Sequence, residues 1–153
     1  MRMYQLYTDG SCKGNGNGDS IGGYAFVVIN ENNEAEMKFA TGAIKNTTNN
    51  RMELSAIIDG LEYMNKNHKD FHCEVFTDSA YIFNCYKQKW YVSWKKNGWK
   101  NSKKEPVKNR ELWEKLIPYF EDKRFIFNKV KGHAGHKWNE QVDTMAQSAA
   151  TEG

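Results

Sequence analysis

The order of the apolar patterns along the chain constrains its fold more than any other feature. Three strand-like segments come first: Met3–Asp9, Tyr24–Ile29 and Ala35–Thr41. The connections between them are rich in Gly, Asn and Ser, and Gly10–Gly23 is predicted to be a loop. Because consecutive strands joined in this way usually pair with each other, the first part of the chain predicts an antiparallel meander.

Helices and strands alternate in the rest of the chain. A helix is predicted to begin at Asn49 or Asn50, because a single apolar stripe at helical spacing follows. The later segments are a strand at Cys73–Thr77, a helix from Asp78, a helix at Arg110–Phe120 that Pro118 ends or kinks, a strand at Phe125–Val130 and a helix at Trp138–Ala150. Strands connected through helices add to a sheet in parallel. We therefore expect an α/β fold, with a five-stranded mixed sheet (an antiparallel meander plus parallel strands) flanked by helices.

Length and composition fit one domain spanning residues 1–153. Hydrophobic residues make up 39% of the chain, which excludes a disordered polypeptide, and no linker or repeat interrupts the sequence. The three cysteines are an odd number without metal-type spacing, which indicates reduced thiols. No apolar run approaches the length of a membrane span. The expectation is a cytoplasmic protein with no membrane association.

Positive charge is concentrated in one segment, which we call the basic arm (residues 87–108). Nine Lys or Arg residues and one acid lie between Lys87 and Arg110, whereas the net charge of the whole chain is +3. Lysines neutralise phosphates and aromatic rings stack on bases, so the arm predicts nucleic-acid binding through Trp90, Lys95, Lys96, Trp99 and Lys100. A second explanation is that the tryptophans form a buried helix face. Both explanations hold if the tryptophans anchor the arm while the lysines contact the phosphate backbone.

Two aspartates share a local context. Asp9 and Asp78 each follow an aromatic residue and a threonine at the carboxyl end of a predicted strand. Ligands of open α/β sheets bind at that edge, so the two carboxylates are candidates for one site. Each also has a plain structural explanation, since Asp before Gly is common in turns and Asp78 is placed to cap the next helix.

Two further acids lie on predicted helices. Glu53 stands in a first turn, where a capping box with Asn50 is the alternative, and Asp143 is followed at i+3 and i+7 by alanines that permit close packing. Four converging acids repel one another unless divalent cations neutralise them. Oxygen-only ligands favour Mg²⁺, or Mn²⁺, over Zn²⁺. Two such ions roughly 3.5–4 Å apart can activate a water and stabilise the leaving oxygen of a phosphodiester.

Two histidines, His133 and His136, lie in a glycine-flanked loop ahead of Asp143. A mobile imidazole near a metal site can act as a base or carry protons at neutral pH. Zinc binding and an exposed loop without a role are the alternatives, and the absence of nearby cysteine argues against zinc.

Taken together, these motifs resemble type 1 ribonuclease H, in the bacterial form with a basic protrusion. The matching segments are Thr8–Cys12, Thr47–Leu54, Thr77–Ser79, Trp94–Lys100, Pro106–Asn109, and Val130–His136 continuing through Asn139 and Glu140 to Asp143. They occur in the family's order and cover almost the whole chain. The most specific matches are Thr47–Asn50 (TTNN) and Lys131–His136 (KGHAGH). A related transposase or integrase would lack the second of these. A hybrid-binding module without activity would have lost one of the four acids.

The resemblance implies hydrolysis of the RNA strand of RNA–DNA hybrids, leaving 3′-hydroxyl and 5′-phosphate ends. It implies that Asp9, Glu53, Asp78 and Asp143 hold two ions when substrate is bound. It implies that His133 handles protons and that Glu140 assists metal exchange or product release. A monomer without an obligate protein partner is expected.

The resemblance also implies a set of nucleic-acid contacts. Cys12, Asn15, Asn49 and Asn50 would contact the minor groove of the hybrid, where 2′-hydroxyls are sensed, and Thr48 would belong to a DNA-phosphate pocket. Three features depart from the family pattern: Ala80 replaces a common Gln, Gln147 replaces a basic residue, and the Gly14–Gly23 loop is about two residues longer. None alters the four carboxylates.

Overall fold

A mixed five-stranded sheet forms the centre of the computed structural model, which describes residues 1–14, 20–130 and 137–152. The strands are β1 (Arg2–Lys13), β2 (Ile21–Ile29), β3 (Ala35–Lys45), β4 (Phe71–Thr77) and β5 (Phe125–Lys129). Their order across the sheet is β3-β2-β1-β4-β5. The first three are antiparallel, and β4 and β5 are parallel to β1. The predicted ribonuclease H-like α/β architecture is confirmed.

Helices cover both faces of the sheet. They are α1 (Asn49–Asn67), α2 (Ala80–Gln88), α3 (Trp90–Asn97), α4 (Arg110–Phe120) and α5 (Lys137–Glu152). The larger core lies between one sheet face and helices α1 to α4, where Leu54, Ile57 and Leu61 of the predicted stripe are fully buried. The smaller core lies under α5, where Val142 and Ala146 pack on Val27. None of the helices in the described parts of the chain is long and apolar enough to cross a membrane.

The predicted loop Gly10–Gly23 was wrong at both ends. Residues Gly10–Lys13 extend β1 and Ile21–Gly23 begin β2, with Gly10 opposite Tyr24 and Cys12 opposite Gly22. Strand β3 likewise runs four residues beyond Thr41, to Lys45. Main-chain hydrogen bonds to the neighbouring strand hold these extensions. Because the main chain makes these bonds, small or polar residues can belong to a strand whose neighbour is already formed.

Both helices beside the predicted acids are capped by other residues. Thr48, rather than Asn49 or Asn50, caps α1, and its hydroxyl accepts from the Arg51 N–H at 3.2 Å. Ser79, rather than Asp78, caps α2, and its hydroxyl accepts from the Ile82 N–H at 3.1 Å. The capping alternatives for Glu53 and Asp78 are therefore wrong.

Helix α4 contains Pro118 and continues to Phe120 before it ends. Pro118 lacks the N–H that would otherwise bond to the Glu114 carbonyl, yet the helix runs two residues past it, so Pro118 does not itself end α4.

Helix α5 lies directly on the backbone of the meander. A Cβ at Gly23 would lie 2.5 Å from the Ala150 nitrogen, and a Cβ at Gly42 would overlap the Ala149 carbonyl group. The pairing of β2 with β3 shifts register between Gly22 and Tyr24, so Gly42 and Ala43 form a bulge under the helix. The missing side chains allow the helix to approach closely enough to bring Asp143 to the sheet edge.

Candidate active site

Two of the predicted carboxylates come from neighbouring parallel strands. The last paired residues of β1 and β4 are Tyr7 and Phe76, and Asp9 and Asp78 each follow two residues later. Parallel neighbours end at the same edge of a sheet. Asp9 and Asp78 accordingly line one cleft of about 380 Å³.

Gly10 fixes the position of a third carboxylate. Helix α1 crosses β1 so closely that a Cβ on Gly10 would overlap the main chain of Met52 and Glu53. The Gly10 N–H donates to Glu53 Oε1 at 2.7 Å and to Asp9 Oδ1 at 2.9 Å. Asp9 is 4% exposed and Glu53 is 8% exposed. One carboxylate oxygen from each of Asp9, Glu53 and Asp78 lies within 4.8 Å of the others.

The fourth carboxylate reaches the cleft from α5. Asp143 is half-buried, lines the same cleft and lies close enough to Asp9 to raise the pKa of that carboxyl. Its buried neighbours Ala146 and Ala150 lie on the face of α5 that packs on the sheet. All four predicted acids, which lie far apart in sequence, therefore line one cleft.

The crowded acids raise one another's affinity for protons. Burial is the largest cause of the raised pKa of Asp9, and the charges of Glu53 and Asp78 raise it further. Burial and the charge of Asp78 also raise the pKa of Glu53, although hydrogen bonds from Asp9 and the Gly10 N–H oppose that rise. Unpaired buried charge is costly, so this cluster favours either bound protons or bound cations.

The donor set fits a hard divalent cation. Glu53 Oε2 is buried and has no hydrogen-bond partner among the described residues. In the described part of the chain the candidate ligand atoms are carboxylate oxygens, which Mg²⁺ and Mn²⁺ prefer, whereas Zn²⁺ typically takes nitrogen and sulfur ligands. The acidic cluster is thus a candidate metal site, with an unused oxygen placed to serve as a ligand.

The raised pKa values predict that the metal-free protein loses stability as the pH rises. Folded Asp9 and Glu53 keep protons that the unfolded chain releases near about pH 4, so the free energy of unfolding falls above that pH. Between about pH 5 and about pH 8, with chelator present, we expect the wild type to lose on the order of 1–3 kcal/mol more than an Asp9→Asn variant. Urea unfolding at each pH measures this difference. Parallel pH dependence in the two proteins would contradict the prediction.

A second, larger cavity adjoins the carboxylate cleft. It has a volume of about 590 Å³ and lies between the basic arm and the body of the protein. Trp90 and Lys100, both predicted to bind nucleic acid, line it. Asn50 and Tyr81 line both cavities, so the arm cavity and the carboxylate cleft form one continuous surface.

Other predicted contacts of the arm lie on its opposite side. Lys95 and Trp99 line a small separate cavity with Glu114, and Lys95 Nζ lies 3.5 Å from a carboxylate oxygen of Glu121. The Arg110 guanidinium lies 4.8 Å from the centre of the Trp99 ring. Trp90, Trp94 and Trp99 all pack against the main core, so the tryptophans anchor the arm. Lys96 is exposed.

The remaining predicted residues are spread around the cleft. Asn49 lines it, Cys12 is half-buried with its thiol 3.5 Å from the Thr47 carbonyl oxygen, and the Thr48 hydroxyl is used as a helix cap. Glu140 is exposed in the first turn of α5. Asn15 and His133 lie outside the described residues.

Sequence reasoning missed two groups in the cleft. The Gly10 main-chain donor serves two acids at once, and the Gln147 amide donates to both oxygens of Asp143. The spacing of Asp143 and Gln147, four residues apart in a helix, is a signal that could have predicted the second contact.

Comparison with known proteins gives consistent matches over the whole chain. The RNase H family model matches residues 1–151. The ribonuclease H of Clostridium botulinum is 41% identical over 152 residues, covering 99% of this chain and 98% of that protein. The ribonuclease H of Syntrophomonas wolfei is 41% identical over 149 residues, covering 97% of each.

Solved structures share the fold. A type 1 RNase H with the type 2 active-site motif superposes with a TM-score of 0.82 at 28% identity, covering 99% of this chain and 73% of that one. A foamy viral protease–reverse transcriptase in complex with an RNA/DNA hybrid gives a TM-score of 0.83 at 19% identity, covering 98% of this chain and 20% of that one. At that identity the second likeness shows the fold alone.

Proposed function

The chain belongs to the ribonuclease H family, and we propose that its carboxylate cleft cuts the RNA strand of RNA–DNA hybrids internally by a two-metal mechanism, leaving 3′-hydroxyl and 5′-phosphate ends. The observation that carries the proposal is the meeting of Asp9, Glu53 and Asp78 within 4.8 Å, next to Asp143. Helix capping does not account for Glu53 or Asp78, because Thr48 and Ser79 cap α1 and α2.

Asp9, Glu53, Asp78 and Asp143 would hold two Mg²⁺ ions, or Mn²⁺ ions, when substrate is bound. When bound, the ions supply an activated water and stabilise charge on the leaving 3′ oxygen. The protein contributes a fixed array of oxygens, because the Gly10 N–H holds Asp9 and Glu53 in place before substrate arrives. The half-buried Asp78 and Asp143 stand nearer the solvent side of the cleft, where a scissile phosphate can approach.

On this continuous surface, the two strands of the hybrid would bind at two different parts. The RNA strand lies over the carboxylates, and the DNA strand follows the arm cavity past Trp90 and Lys100. Asn49 and Asn50 line the cleft, and with Cys12 and Asn15 they would contact the minor groove, where amides can sense 2′-hydroxyls. Thr48 belongs to the DNA-phosphate pocket. His133 handles protons, and Glu140 assists metal exchange or product release.

We also infer that residues 1–153 form a single domain with a basic protrusion at about 87–108, and that it acts as a cytoplasmic monomer. The family match over residues 1–151 supports one domain. The three cysteines are free thiols, which fits a reducing compartment.

End-labelled RNA in three forms tests the function directly: single-stranded, paired with RNA, and paired with DNA. Each form is incubated with Mg²⁺ or with chelator. We expect internal cleavage of the hybrid alone, and only with Mg²⁺. Cleavage of single-stranded RNA at an equal rate, or cleavage in chelator, would contradict the proposal.

Lysines on the two sides of the arm are expected to differ in their effect on binding. Lys100 lines the cavity that continues into the cleft, whereas Lys95 faces Glu121 on the other side. Lys100→Ala should weaken hybrid binding roughly threefold to tenfold and lower the slope of log affinity against log salt by about one, because one phosphate contact is lost. Lys95→Ala should have a smaller effect on both.

Fluorescence anisotropy with labelled hybrid, in chelator and at several salt concentrations, measures the affinity of each variant. Lys66→Ala, at the far end of α1, is the matched control for removing one exposed charge. Equal salt slopes for the Lys100 and Lys66 variants would show that the arm cavity does not hold a phosphate.

A further inference from the structure

Gln147 holds the one catalytic carboxylate that comes from α5. Its side-chain amide nitrogen lies 3.1 Å from Asp143 Oδ1 and 3.2 Å from Asp143 Oδ2. Both residues line the carboxylate cleft. A donor bridging both oxygens restricts rotation of the carboxylate about its last bond, so it sets which way the lone pairs point.

The main chain beneath this pair is fixed. Ala149 and Ala150, two and three residues further along α5, lie against Gly42 and Gly23, where any side chain would collide. Asp143 and Gln147 therefore extend from a rigid helix, and the remaining freedom belongs to their side chains. For Asp9 and Glu53 that freedom is removed by the Gly10 N–H. The Gln147 amide restricts the Asp143 side chain in the same way.

The chemical type of the donor matters. A lysine or arginine, the residue type that the family pattern has at this position, also pairs with Asp143 but adds a positive charge beside the cation site, whereas a neutral amide orients the carboxylate without adding charge. Residues that hydrogen-bond to a metal ligand typically change metal affinity by about 10–100-fold when they are removed.

We propose that Gln147 is a positioning residue that orients Asp143 for binding of the divalent cation. The inference rests on the proposed metal site and concerns how this chain holds its fourth ligand. It predicts that loss of the amide weakens binding of Mg²⁺ itself, before any hybrid is present.

The test compares Gln147→Met, which keeps the length of the side chain and removes its donor, with Gln147→Lys, which keeps a donor and adds charge. Calorimetric thermal unfolding at increasing Mg²⁺, without hybrid, gives an apparent Kd for each protein. The Met variant is expected to bind Mg²⁺ about threefold to tenfold more weakly, less than the usual range because Gln147 is exposed, and the Lys variant more weakly still. In cleavage assays the Mg²⁺ concentration for half-maximal rate should rise by the same factor.

Two reference proteins separate the possible failures. Ser148→Ala, at the next and exposed position of α5, should match the wild type. Asp9→Asn should lose most of the Mg²⁺ response. A wild type that shows no Mg²⁺ response would overturn the metal site and this inference together. Wild-type Mg²⁺ affinity in the Met variant, or a change only in the KM for the hybrid, would overturn the role of Gln147 and leave the metal site standing.

Discussion

Asp9→Asn is expected to lower the rate of hybrid cleavage at least about a thousandfold, which corresponds to about 4 kcal/mol in the activation barrier. Asp9 is the most central of the four acids, since Glu53, Asp78 and Asp143 each raise its pKa and it shares the Gly10 N–H with Glu53. The amide that replaces it has nearly the same shape, so the fold should persist. It carries no charge, so the cation loses a ligand at the point where the four acids converge.

Two measurements separate chemistry from binding in this variant. Single-turnover cleavage with excess enzyme gives the rate of the chemical step, and anisotropy in chelator gives the affinity for the hybrid. Binding in chelator should stay within a few-fold of the wild type, because the arm is unchanged. Asp70→Asn, an exposed acid at the opposite end of the sheet, is the control. Wild-type cleavage by Asp9→Asn would refute the nuclease mechanism.

Gly42→Ala is expected to lower the free energy of unfolding by about 2–4 kcal/mol, although it adds only one methyl group. The new Cβ would overlap the Ala149 carbonyl, which belongs to helix backbone and has little room to move. Either the bulge in β3 or the whole of α5 must shift. A shift of α5 would also carry Asp143 away from Asp9, so Mg²⁺ affinity should fall together with stability.

The neighbouring residue, Ala43, provides a control in which the opposite change in the free energy of unfolding is expected. Ala43 has a φ of 55°, in the left-handed region that a Cβ makes unfavourable. Ala43→Gly should therefore raise stability by roughly 0.5–1 kcal/mol. Urea unfolding of both variants and the wild type measures the effects. Destabilisation by both substitutions to the same degree would show that the bulge, rather than contact with α5, determines the outcome.

The sequence predicted the type and order of the helices and strands better than the residues at which they begin and end. Strand patterns marked Asp9 and Asp78 at the carboxyl ends of β1 and β4, which is why their shared position was predictable. The run from Gly10 to Lys13 resembles a loop because it contains Gly, Ser and Lys and no strand-forming apolar pattern, yet it is held in β1 by pairing with β2. Such pairing depends on the neighbouring strand, which local composition does not describe.

The identity of the four acids could be predicted from the sequence. The way in which the surrounding residues hold and flank them could not. Thr47, Thr48, Asn49 and Asn50 are all residue types that cap helices well, and only the structure identifies Thr48 as the cap, through its hydrogen bond from the Arg51 N–H. The separation of Lys95 from Lys100 depends on how the arm folds back on α4, which the alternation of Lys and Trp does not encode. Contacts made by single backbone groups, such as the Gly10 N–H, leave no signal in residue type.

Because Asn50 and Tyr81 belong to both cavities, the arm and the carboxylates stand at a set spacing along any duplex that spans them. In the proposed binding mode, the nucleotide beside Trp90 would determine which phosphodiester of the opposite strand reaches the acids, so the surface would measure a fixed distance along the hybrid. A hybrid too short to bridge the two would be cut slowly however well it paired, and cleavage near a duplex end would begin at a constant offset from that end.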